Sequence, residues 1–137
     1  MNSGKVILTV IHGNPEGQEY VFEDHSWCLI GRGNDCDLRL PKDFEHADIS
    51  RHHCLLEIDL PAIRIRDLGS KNGTYINGLK IGQRSFAPMT PEFDLSDFAA
   101  HELRDGDEIQ VGHTVFRLET VDSSAMADTM ASLMPMG

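Results

Sequence analysis

The sequence predicts an all-β fold, a sandwich of short and mainly antiparallel strands. Three observations carry this expectation. Apolar runs of strand length recur along almost the whole chain, several of them alternate with a period of two, and turn residues punctuate nearly every boundary between them. The runs in order are "KVILTVI" (5–11), "EYVF" (19–22), "WCLIG" (27–31), "DLRL" (37–40), "HCLLEID" (53–59), "AIRIRDL" (62–68), "TYING" (74–78), "EIQVG" (108–112) and "TVFRLETV" (114–121). All but "DLRL" contain β-branched or aromatic residues.

The alternation assigns faces. Cys54, Leu56 and Ile58 share one side of their run, with Glu57 and Asp59 on the other. Ile63 and Ile65 point inward and Arg64 and Arg66 outward; Phe116 and Leu118 oppose Arg117 and Glu119. Such half-buried strands pair antiparallel. Between runs stand "HGNPEG", "GRGND", "GSKNG" and "RDGD", all turn chemistry. Asn77-Gly78 in "YINGLKI" signals a two-residue hairpin. Cys28 and Cys54 read as core and Cys36 as loop.

Two segments break the pattern. Residues 83–103, "QRSFAPMTPEFDLSDFAAHEL", hold three phenylalanines and two prolines. A short helix is expected at about Ser96–Leu103, capped by Ser96 or Asp97. Residues 122–137 form a Met-rich tail without aromatics, expected to be flexible, with a short amphipathic helix as the alternative. The expected organisation is therefore one domain over residues 1–121, interrupted at about 83–103, followed by the tail.

Composition narrows the function. With 137 residues the chain suffices for one domain with a proper core. No apolar run reaches the ~18 residues of a membrane helix, and the N-terminus reads as a first strand rather than a signal peptide. Three cysteines without a CxxC pair argue against a disulfide framework and for the cytoplasm. A net charge of -10 opposes nucleic-acid binding. The charge is uneven: Glu92 to Glu108 contains seven acids and one base, whereas Arg32 to Arg84 contains nine bases and eight acids. An anion site belongs in that middle segment and must use local donors.

The row "ISRHHC" from Ile49 to Cys54 concentrates the chemistry. A serine nucleophile would need a base over its hydroxyl and an orienting third group, and no nucleophile-elbow pattern surrounds Ser50. A metal site built on His46, His52, His53 and Cys54 fails on geometry, because consecutive strand residues alternate faces, and zinc spacings are absent. No metal and no cofactor are expected. An anion site needs a bidentate cation, hydroxyl or amide donors, and glycines that admit backbone N–H groups. "GRGND" supplies Arg32 between Gly31 and Gly33, "ISRHH" supplies Ser50 and Arg51, and "GSKNGT" supplies Ser70, Lys71 and Asn72. Loops at the ends of sandwich strands cluster at one pole.

In order, "IGRGNDCDLRLP", "ISRHHCLLEI", "IRDLGSKNGTYING" and "LRDGDEIQVG" resemble the successive motifs of a forkhead-associated (FHA) domain, over about Val6 to Val121. The resemblance implies a β-sandwich of about eleven strands that binds phosphothreonine peptides through loops at one end. It implies phosphate contacts from Arg32 and Ser50, with Arg51 as a second cation. Asn72 would hold the ligand backbone beside the phosphothreonine. Lys71 stands where the family often has a small hydroxyl residue, and contacts the ligand on this reading. Gly31, His53, Gly73 and Thr74 would support the site, His53 by bracing loops, while His52 faces solvent. The implied function is a non-enzymatic module that recruits a partner phosphorylated by a Ser/Thr kinase, with no nucleic-acid or membrane partner. The alternative is a phospho-independent scaffold or oligomerisation module on the same fold.

The chain departs from the family in one place. Ile81 and Leu103 are separated by 21 residues where the family uses a few. Phe86, Phe93, Leu95 and Phe98 there need burial, either along the sandwich edge or against a partner. Thr90 and Thr129 are the threonines available for self-recognition. In the family, nearby loops help select the residue three positions after the phosphothreonine; on that resemblance Lys42 would favour an acidic residue there, and Asp43, Glu45 and Asp48 would oppose it.

Overall fold

A computed structural model describes residues 4–83 and 98–122. The strands are β1 (Gly4–His12), β2 (Glu19–Glu23), β3 (Ser26–Gly31), β4 (Leu38–Arg39), β5 (Cys54–Asp59), β6 (Ala62–Asp67), β7 (Thr74–Ile76), β8 (Leu79–Gly82), β9 (Ala100–Glu102), β10 (Glu108–Val111) and β11 (Thr114–Asp122). They form a six-stranded sheet in the order β2-β1-β11-β10-β7-β8 and a five-stranded sheet in the order β4-β3-β5-β6-β9. The pairings are antiparallel except β3 with β4. This is the expected sandwich of eleven strands.

The period-two reading holds because each sheet has one face to bury. Val6, Leu8 and Val10 of β1 lie against Phe116 and Leu118 of β11, and Ile109 and Val111 of β10 continue that layer. Cys28, Ile30, Cys54, Leu56, Ile58, Ile63 and Ile65 supply the opposing layer. Each large apolar side chain taken from water contributes about 1.5–3 kcal/mol. Tyr20 closes the flank of Phe116 edge-on, with ring centroids 6.2 Å apart. The outer face of β5 is less wet than its sequence suggests. Glu57 is buried because Arg66 Nε donates to its Oε1 at 2.6 Å, with Arg64 3.9 Å from its other oxygen.

The Asn77-Gly78 turn forms as expected. Both residues have positive φ, 51° and 85°, which is the twist a two-residue hairpin requires. Asn77 also ties the turn to the next strand: Nδ2 donates to Asp107 Oδ1 at 3.0 Å, and Oδ1 accepts from the Glu108 N–H at 2.9 Å.

The helix expected at about Ser96–Leu103 is corrected where the chain is described. Ala100–Glu102 is strand β9, paired with Arg64–Arg66 of β6. The physical reason is the open edge of β6. Its unpaired backbone groups gain partners, the Leu103 N–H reaches the Ile63 carbonyl at 2.8 Å, and the Leu103 side chain drops into the core. Arg66 Nη1 adds a bond to the Phe98 carbonyl at 2.7 Å. This end of the 83–103 segment therefore packs on the sandwich edge. Thr90, Phe86, Phe93 and Leu95, and the tail with Thr129, lie outside the described residues. Among the described residues no helix is long and apolar enough to cross a membrane, and Cys28, Cys36 and Cys54 are free thiols.

Candidate functional site

Three loops meet at one end of the sandwich. They follow β3 (32–37), precede β5 (48–53) and connect β6 to β7 (68–73). Register brings them together: Ile30 stands opposite Cys54, and Cys54 opposite Asp67, so the antiparallel strands deliver all three to the same pole.

Main-chain bonds weld the first two loops. The Arg32 N–H donates to the Ser50 carbonyl at 3.2 Å, and the Gly33 N–H donates to the Arg51 carbonyl at 2.9 Å. This approach explains Gly31. A Cβ there would lie 2.1 Å from the Arg51 carbonyl oxygen and 3.0 Å from that of Ser50. Gly31→Ala is therefore expected to destabilise the domain by about 1–3 kcal/mol through overpacking. Thermal denaturation checks it, and a variant as stable as the parent would contradict the tight approach.

His53 joins the second loop to the third. It is fully buried. Its Nδ1 accepts from the Ser50 N–H at 3.0 Å, and its Nε2–H donates to the Gly73 carbonyl at 2.8 Å. That pattern fixes the neutral Nε2–H tautomer. Burial pushes the imidazole below its ordinary range, and the Gly73 carbonyl and the Asp67 and Asp48 carboxylates oppose this only in part. The folded-state value is depressed below the unfolded one, about 6.5. The unfolded chain therefore takes up a proton that the folded chain refuses, so this contribution is complete above that pH and declines as pH falls below it. Nitrogen NMR should show His53 still neutral below the pH at which an unperturbed histidine protonates, about 6.5, and protonation at that ordinary pH would refute the assignment.

The third loop is organised around Asp67, which the sequence reading missed. Its Oδ1 accepts from the Ser70 and Thr74 hydroxyls, the latter at 2.6 Å, and its Oδ2 accepts from the Gly69 and Ser70 N–H groups at 2.9 and 3.1 Å. Ser70 Oγ in turn accepts from the Gly73 N–H at 2.9 Å. Asp67, Ser70 and Thr74 are buried. Ser70 is thereby corrected from an anion donor to a structural residue: its hydroxyl is consumed inside the loop. The Asp-x-x-Ser spacing of "DLGS" was the signal available.

What remains at the surface of the pole is a set of uncommitted donors. Arg32 Nε is pinned on the Ile49 carbonyl, and its two terminal nitrogens have no protein partner among the described residues. Ser50 Oγ accepts from the Lys71 N–H at 2.8 Å, which leaves the hydroxyl proton to point elsewhere. Asn72 Nδ2 donates to the Asp48 carbonyl at 2.8 Å, which positions the amide and leaves its oxygen unspent. Asp48 is in turn held by His113 Nδ1 at 2.5 Å, a contact from the β10–β11 turn. Arg51 and Lys71 are exposed, and among the described residues neither has an acidic side chain within ion-pair distance. The geometry thus brings Arg32, Ser50, Arg51, Lys71 and Asn72 to one pole, on a frame that includes Gly31, His53, Gly73 and Thr74. His52 is exposed, as expected, and its Nε2 also lies 2.8 and 2.9 Å from the two Asp35 oxygens.

Comparison with known proteins identifies the family and the fold. A family model described as FHA domain matches residues 28–112. The glycogen accumulation regulator GarA of Mycolicibacterium smegmatis is 29% identical over 116 residues, covering 85% of this chain and 58% of that protein. Protein FraH of Nostoc is 37% identical over 89 residues, covering 61% of this chain and 25% of that protein. The chain therefore spans less than two thirds of the length of these relatives. A structure described as part of an analysis of phosphothreonine-dependent FHA domain interactions superposes with a TM-score of 0.62 at 26% identity, covering 84% of this chain and 95% of its own. The chain belongs to the FHA domain family.

Proposed function

We propose that this chain is a phosphothreonine-peptide-binding module that recruits a partner modified by a Ser/Thr kinase. The observation that carries this reading is the set of donors left unspent on a cross-tied frame. A phosphate brings about -1.5 to -2 charge and three acceptor oxygens. Arg32 offers a planar fork, Ser50 a hydroxyl, and Arg51 and Lys71 further positive charge. Asn72, with its amide oxygen uncommitted, takes the peptide backbone beside the phosphorylated residue. The phosphothreonine dependence described for the similar FHA structure supports the same reading. Local donors are essential here, because the whole chain carries a net charge of -10 and repels anionic partners at long range. On this reading the chain is not an enzyme, and its three free thiols suit the reducing cytoplasm.

The test begins with a phosphothreonine peptide library, from which the preferred sequence is made with phosphothreonine, phosphoserine or unmodified threonine. Calorimetry should show binding of the phosphothreonine peptide and loss of binding to the unmodified one. Equal affinity for both would sink the proposal.

A further inference from the structure

A second cluster sits against the candidate site without belonging to it. Asp35, Cys36 and His52 each offer one ligand atom, a carboxylate oxygen, a sulfur and an imidazole nitrogen, and these lie within 4.8 Å of one another. They come from two loops, the β3–β4 loop for Asp35 and Cys36 and the loop before β5 for His52. In sequence His52 stands beside His53 and Cys54, with which it cannot converge on a metal. The fold instead turns His52 across to Asp35.

We propose that Asp35, Cys36 and His52 form a binding site for a zinc-class divalent transition metal, with the fourth position open. Thiolate, imidazole and carboxylate are the donor types of zinc sites, and the soft sulfur disfavours magnesium and calcium. Zinc bonds of about 2.0–2.3 Å in a tetrahedron place ligand atoms about 3.3–3.8 Å apart. Rotation of these exposed or half-buried side chains reaches that range: the His52–Asp35 separation opens from 2.8 Å, and the other ligand atoms already lie within 4.8 Å. On binding, the metal takes the place of the hydrogen between His52 Nε2 and the Asp35 carboxylate, and that proton is relayed through solvent to Nδ1, so that His52 ligates as the neutral Nδ1–H tautomer. The Cys36 thiol releases its proton to solvent as the sulfur–metal bond forms, and it gives up its contact with the Arg51 carbonyl, now 3.2 Å. Burial and the neighbouring Asp35 and Asp37 hold that thiol above its ordinary range, so the charge of the metal must drive the deprotonation. Asp24, His25 and Asp59 form a competing cluster. It lacks sulfur, and Asp24 Oδ1 is already engaged by the N–H groups of His25 and Leu60, each at 2.8 Å.

The intact chain is titrated with Co²⁺ alone, and the bound ion is then displaced with Zn²⁺. One equivalent should bind and give a thiolate-to-cobalt charge-transfer band. Cys28 and Cys54 are fully buried, so the sulfur can only be that of Cys36. Cys36→Ser should abolish the band, and His52→Asn should weaken binding about tenfold or more. His25→Asn should change nothing, and circular dichroism should show all variants folded. Absence of the band, its survival in folded Cys36→Ser, or its loss in His25→Asn would each overturn the site. None of these readouts depends on phosphopeptide binding.

Discussion

Asp67→Ala is expected to lower the unfolding free energy by about 3–5 kcal/mol, because it leaves buried donors without an acceptor. The Ser70 and Thr74 hydroxyls and the Gly69 and Ser70 N–H groups all end on this one carboxylate. Thr74 and Ser70 are fully buried, so water cannot easily replace it. Asp67→Asn separates charge from shape. It keeps the volume but offers one acceptor oxygen, with an NH₂ group facing the remaining donors. A smaller but clear loss of about 1–3 kcal/mol is expected. Guanidinium denaturation measures both, and a loss below about 1 kcal/mol for Asp67→Ala would show that the loop does not depend on this carboxylate.

Arg32→Ala is expected to weaken phosphothreonine-peptide binding by about 2–5 kcal/mol, on the order of thirtyfold to a few thousandfold. The physical ground is the pinned guanidinium. With Nε fixed on the Ile49 carbonyl, the terminal fork is oriented before any ligand arrives. Arg32→Lys should recover only part of the loss, since an ammonium cannot hold Ile49 and offer a planar fork together. Calorimetry with the library-selected peptide checks both variants, with melting temperature as the control for folding. An affinity within about threefold of the parent (about 0.65 kcal/mol) would remove Arg32 from the site.

The fold was largely legible because alternation is written in the side chains themselves. Cys54, Leu56 and Ile58 marked a face, and Asn77-Gly78 marked a turn. Cys54 read as core because a free thiol behaves as a small apolar group. What stayed hidden depends on contacts between distant segments. The strand at Ala100–Glu102 exists because the edge of β6 needs a partner, and local composition favoured a helix there instead. Glu57 looked like a wet residue until two arginines on the next strand covered it. The candidate site residues stood out as motifs. Their division of labour was not, since Ser50 and Ser70 look alike in sequence, and only the fold spends one hydroxyl on Asp67 and leaves the other with a proton to give.

The ties that hold the pole together end on main-chain carbonyls, those of Asp48, Ile49, Ser50, Arg51 and Gly73, and on the buried side chains of His53, Asp67 and Ser70. A scaffold fixed by its backbone and a few buried side chains is indifferent to the exposed side chains that take no part in those ties. Lys42, Phe44 and Lys71 project from it as exposed residues, and their exchange should leave the fold intact. On the proposed function, ligand preference at this pole is therefore open to drift and to engineering, one surface residue at a time, without the stability losses that usually restrain such change.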